Sequence, residues 1–188
     1  MSIARWTMVT WLGWLLGIPS VALLALLGEV LHLGGAQGWV GAGMGLAVGL
    51  LQGRSLRRAG ISAVRWLTAT SLALAAPFLV LDVFHALGRG VPYSLLICVA
   101  IGGSMVGVAQ GQLLPSHAKR SWVVASSVGW FMAAAAAWGA DALFRTHRVA
   151  GIVGALEYLG LIASGGLLLG LATGPLAVRL SVSQRAAT

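Results

Sequence analysis

Four carboxylates and four histidines are the acid–base and metal-ligating side chains of this 188-residue chain. Most of them gather near three connections. Glu29 and His32 stand three residues apart, as do Asp82 and His85. That spacing puts both members of a pair on one helix face. Asp141, with His147 after it, marks a third such place. Carboxylate and imidazole are good ligands for zinc, nickel or copper, so Glu29, His32, Asp82, His85 and Asp141 outline a divalent-cation rim. The plainer expectation pairs these acids with Arg89, Arg145 and Arg148, the basic residues of the same connections. Glu157 falls inside the last apolar stretch, where a carboxylate needs a basic partner, a polar cavity or a proton.

A second polar set lies within the apolar stretches. Gln52, Gln110 and Thr173 each stand three residues after a glycine, namely Gly49, Gly107 and Gly170. Thr10, Thr70 and Ser126 each stand four residues after a tryptophan that follows a basic residue, directly or one residue on. A buried amide requires partners, so these six side chains are expected at one depth, amide against hydroxyl. Each such bond contributes about 0.6 kcal/mol in a bilayer, enough to fix register without dominating stability.

Other chemistries find little support. Axial histidines for a tetrapyrrole belong inside apolar helices, whereas His32, His85 and His147 lie at stretch ends and His117 follows Pro115 in a basic connection. No cofactor is expected, with a divalent metal or a pigment the open alternatives. A serine elbow, a phosphate loop and a paired-acid motif are all missing from the sequence, and the chain is read as non-enzymatic. An integral-membrane enzyme acting on lipid or isoprenoid would need an acid-rich cytoplasmic or midplane site. Cys98 is the single cysteine, which rules out an intrachain disulfide and suits a small apolar filler.

The elements that must position these groups follow from composition. The chain is 59% hydrophobic and 9% charged, with a mean hydropathy of +0.92; soluble domains carry about 25% charged residues. Its main solvent is therefore lipid. Six apolar segments are long enough to span a hydrocarbon core: Trp6–Val30, Ala36–Gln52, Val64–Phe84, Tyr93–Leu113, Trp122–Leu143 and Ile152–Val178. The expected fold is an all-α polytopic membrane protein with six transmembrane helices.

Glycine organises these helices. Gly41, Gly45, Gly49 and Gly53 recur every four residues, as do Gly103, Gly107 and Gly111, and Gly166, Gly170 and Gly174. Each ladder leaves a groove nearly free of side chains, into which another helix can pack closely. The helix that fills it belongs either to this chain or to another protomer.

Arg5-Trp6, Arg65-Trp66 and Arg120-Ser121-Trp122 open the odd segments, placing each indole where a helix meets the headgroups. Glu29, Asp82 and Asp141 close them. Three related helical hairpins in pseudo-threefold arrangement follow, with units at residues 5–58, 64–118 and 120–179 and a short tail at 180–188, all within one transmembrane domain (1–188).

The net charge of +8 places nine of the twelve basic residues on the side of both termini. The positive-inside bias then makes the termini cytoplasmic, in an inner (plasma) membrane of bacterial type, and accounts for the charge without nucleic acid. The apolar stretch after Arg5 is longer than a signal-peptide core and is read as a retained first helix. The expected function is an accessory or scaffolding subunit that packs by its glycine faces in a homo-oligomer or larger membrane complex. Its partners would be lipids, itself or other membrane subunits. The alternative is a small cation or solute transporter or channel that uses the outer acid/histidine rim.

Overall fold

Backbone amides in an apolar chain must be satisfied locally, and helices do this within a single segment. A computed structural model describes residues 1–146 and 151–183. The helices are α1 (Ile3–Val30), α2 (Gly38–Leu56), α3 (Ala63–Ala86), α4 (Ser94–Gly111), α5 (Ser116–Thr146) and α6 (Gly151–Ser183), with a short 3-10 turn at Arg57–Ala59. Two starts are serine-capped: Ser2 accepts from the Arg5 amide at 3.2 Å and Ser62 from the Arg65 amide at 3.4 Å, each satisfying one orphan donor of a first turn.

Five of the six helices, all but α2, are long and apolar enough to cross a membrane. The chain is thus an all-helical membrane protein. α2 is diluted by composition, since six of its 19 residues are glycine and it ends on Gln52, Arg54 and Ser55. α5 starts six residues ahead of Trp122; Pro115 sets its entry, and its polar first turns need no apolar signal to be helical.

Each helix packs on the next, and α6 packs back on α1, which closes a ring of six. Neighbours are antiparallel. One end gathers Trp6, Trp66 and Trp122 from the starts of α1, α3 and α5 with Leu56, Ala177 and Leu180 from the ends of α2 and α6. The other end gathers Phe78 and Leu81 from late α3 with Cys98 from early α4. The first is called the basic end here, because Arg5, Arg54, Arg58 and Arg65 lie there, and the second the acidic end.

Candidate functional site

The glycine ladders set the ring's spacing, each against the odd helix that follows it around the ring. A Cβ on Gly45 would stand 2.6 Å from the Cα of Ser71 on α3, one on Gly107 3.0 Å from the Ser126 Cβ on α5, and one on Gly170 2.7 Å from the Thr7 Cα on α1. Gly41, Gly49 and Gly53 likewise meet α3, Gly103 and Gly111 meet α5, and Gly166 and Gly174 meet α1. Of the two placements the ladders allowed, this chain or another protomer, the glycines meet helices of this chain. The grooves are filled inside the chain, where backbone approach replaces side-chain packing.

Close approach brings the polar side chains together at one depth. Gln52 Nε2 donates to Thr10 Oγ1 at 3.1 Å, and Gln110 Nε2 donates to Thr70 Oγ1 at 2.9 Å. The amide–hydroxyl pairing is therefore present at two positions. Thr173 and Ser126 are buried with them, Ser126 lying against Gly107.

The indoles complete the layer. Trp66 Nε1 donates to Gln52 Oε1 at 3.3 Å, Trp122 Nε1 to Gln110 Oε1 at 3.0 Å, and Trp6 Nε1 to Thr173 Oγ1 at 2.8 Å. Each bond runs from an odd helix to the ladder helix packed on it, and the last joins the two ends of the chain. The rings also meet edge to face, with centroids 6.1 Å apart for Trp6–Trp122 and 5.3 Å for Trp66–Trp122, an arrangement worth about 0.5–1.5 kcal/mol per pair beyond burial. This overturns the placement of these tryptophans among the headgroups: Trp6 and Trp66 are 0% exposed and Trp122 1%. An interfacial indole finds water for its N–H, but these find an amide or hydroxyl oxygen inside the bundle.

Eight residues beyond these indoles come Trp14, Leu74 and Trp130, and four residues before the ladder polar groups come Val48, Val106 and Leu169. All six belong to one buried cluster in the middle of the ring. Trp14 Nε1 donates to the Ile162 carbonyl of α6 at 2.7 Å. Toward the acidic end, Trp14, Leu74 and Trp130 floor a cavity of about 400 Å³ whose walls include Phe78, Leu95 and Tyr158 and draw on all six helices. The lining is almost wholly apolar, so what it suits is an apolar molecule.

Protein-family models, curated proteins and solved structures all return no match to the chain.

Among the described residues, the acid and histidine side chains do not converge. Both Asp82 carboxylate oxygens accept backbone amides at the start of α2, Oδ1 from Gln37 at 2.6 Å and Oδ2 from Gly38 at 2.9 Å. The end of α3 thereby caps α2, where a carboxylate meets free N–H groups and the positive end of the helix dipole. The Glu29 carboxylate lies against its own loop beside Gly34. His32 is beyond the end of α1 with φ 57°, which corrects the expectation that it shares a helix face with Glu29. His85 is exposed on the last turn of α3. Among the described residues there is no group of three metal-ligating side chains. The Asp141 and Arg145 side chains, together with His147 and Arg148, lie outside the described residues. Glu157 is exposed near the start of α6, facing away from the ring. Cys98 is buried, its Sγ 3.6 Å from the Pro77 carbonyl.

The residues that sequence reasoning passed over are the indoles as donors and the layer above them. A signal was present: Trp6–Trp14 and Trp122–Trp130 share one spacing. A single tryptophan at a helix mouth reads as an interface anchor, but one repeated two turns deeper reads as core.

Proposed function

We propose that this protein is a non-enzymatic accessory or scaffolding subunit of a membrane, six helices spanning as three related hairpins about a pseudo-threefold axis, with both termini cytoplasmic. One observation carries the reading: the buried glutamines and indoles toward the basic end of the bundle are bonded to one another and hold the ring shut. Groups committed in this way position helices and are not offered to a reacting substrate. The repeat is supported by the agreement of Trp6/Trp66/Trp122 with Gln52/Gln110/Thr173, each indole bonding the ladder helix on which its own helix packs. The ladders being occupied within the chain, partners would meet the outward faces. Isolation in mild detergent followed by native mass spectrometry tests this. Stoichiometric companion chains, or a defined homo-oligomer, are expected; a lone monomer bound to metal would replace this reading with the transporter.

A second reading is favoured by the 400 Å³ central cavity, namely a protein that takes up a small apolar solute from the acidic end. Two layers of buried indoles lie beneath that cavity, so passage would require them to separate. Ala137 lines the cavity, and Ala137→Trp would fill it. On this reading a co-purifying apolar molecule is present in the native protein and lost in the variant, while assembly is unchanged.

A further inference from the structure

The basic end holds a second cavity, quite unlike the first. Its volume is about 270 Å³, and Met1, Arg5, Arg54, Ser55, Arg58 and Ser181 line it. Three separate backbone segments converge there: Arg5 comes from the first turn of α1, Arg54 from the last turn of α2, and Arg58 from the 3-10 turn that follows. The serines do not provide donors, since Ser55 Oγ is bonded to the Leu51 carbonyl at 3.0 Å and Ser181 Oγ to the Val178 carbonyl at 2.7 Å. The charged side chains that line the cavity are the three guanidinium groups.

Among the described residues these charges have no compensation. Glu29 and Asp82 lie at the far ends of α1 and α3, Asp141 late in α5 and Glu157 early in α6, so among the described residues no acidic side chain belongs to the basic end. Among the described residues no side chain accepts a hydrogen bond from Arg5, Arg54 or Arg58. Three like charges around one cavity repel unless an anion enters. Each guanidinium presents a fork of donors that matches the oxygens of a phosphate. In a membrane-embedded ring this end sits at headgroup depth, where basic pockets between helices take lipid phosphates. We propose that this cavity is a binding site for a phosphate-bearing anion, with the headgroup of an anionic phospholipid as the source nearest to hand and free phosphate the other.

The positive-inside bias alone would put arginines at this end, so the test separates the cavity from the general charge. Arg57 and Arg65 are exposed at the same end but do not line the cavity. The full chain is placed in nanodiscs of phosphatidylcholine with and without phosphatidylglycerol, and retained lipid is read by native mass spectrometry. Wild type and the Arg57→Gln/Arg65→Gln variant are expected to hold phosphatidylglycerol selectively. Arg5→Gln/Arg54→Gln/Arg58→Gln should lose about a hundredfold in apparent affinity, at about fivefold per arginine near a membrane surface. The corresponding triple lysine variant should fall between, because charge remains but the fork is lost. All three arginines are exposed, so the near-ultraviolet circular dichroism of the buried indoles should be unchanged and certifies folding. In a parallel arm, inorganic phosphate is added to lipid-free protein in neutral detergent. A melting shift there, absent from the triple glutamine variant and unaccompanied by lipid retention, assigns the site to a soluble phosphate. Equal loss in both glutamine variants, or neither lipid retention nor a phosphate shift in wild type, overturns the proposal.

Discussion

Gln110 receives the Trp122 indole at 3.0 Å and reaches Thr70 at 2.9 Å, whereas Gln52 is held at 3.3 Å and 3.1 Å. Removing either amide leaves a buried N–H without an acceptor, a loss of about 1–3 kcal/mol. Gln110→Leu should therefore destabilise by roughly 2 kcal/mol and Gln52→Leu by less, read as unfolding midpoints in mixed detergent micelles. Equal, negligible costs would mean the layer is ornamental. Trp122→Phe isolates the donor, since it keeps an aromatic ring in the cluster while emptying the bond to Gln110. Its cost should be largely absent in a Gln110→Leu background, because the two residues act as one unit.

At the scale of elements, two devices hold neighbouring helices. The first is backbone approach. Gly45→Ala would drive a Cβ to 2.6 Å from the Ser71 Cα, and as both atoms belong to helix backbones the helices must part. A loss of several kcal/mol is expected, by the same cost that overpacked cores show. A Cβ on Gly139 would meet nothing within 4 Å, and Gly139→Ala should be neutral or slightly stabilising, as alanine favours the helix by about 1 kcal/mol. If both variants melt alike, the ladders do not set the spacing. The second device is the cap that α3 gives α2. Asp82→Ala strands the Gln37 and Gly38 amides and should cost about 1–2 kcal/mol. Its effect should concentrate at the start of α2, as faster amide exchange at Gly38–Gly41.

For the whole molecule the open quantity is orientation. Leu33 and Gly90 are exposed in the acidic-end connections, and Arg57 and Gln112 are exposed at the basic end. The native Cys98 is buried and should stay silent. Leu33→Cys and Gly90→Cys are expected to react with a membrane-impermeant maleimide in intact cells, whereas Arg57→Cys and Gln112→Cys should react only after permeabilisation. The opposite pattern would turn the molecule over and place the arginine cavity outside. A mixed pattern within one end would break the ring's alternation, and α2, whose hydropathy falls short of the other five helices, is the element whose span it would put in question.

Much of this was legible in the residues alone. Apolar stretches long enough to cross a bilayer have few alternatives to helix, because unpaired backbone is prohibitive in lipid; hence the close agreement between Val64–Phe84 in the sequence and Ala63–Ala86 in the fold. The four-residue period of the glycines announced close contacts, and Gln52 and Gln110 announced a polar layer, since a buried amide must be bonded. What periodicity leaves open is which surface meets which. A groove without side chains accepts any helix of matching shape, so only the closed ring decided that the ladders face the next odd helix and not a second protomer. An indole can satisfy its N–H at a headgroup or on a glutamine, and only the convergence of α1, α3 and α5 at one end put Trp6, Trp66 and Trp122 on the second course. Asp82 and the arginines around Arg54 are the same case. A charge in a sequence has a sign and a place along the chain, but its partner, or the lack of one, is a property of the helices that tertiary packing brings beside it.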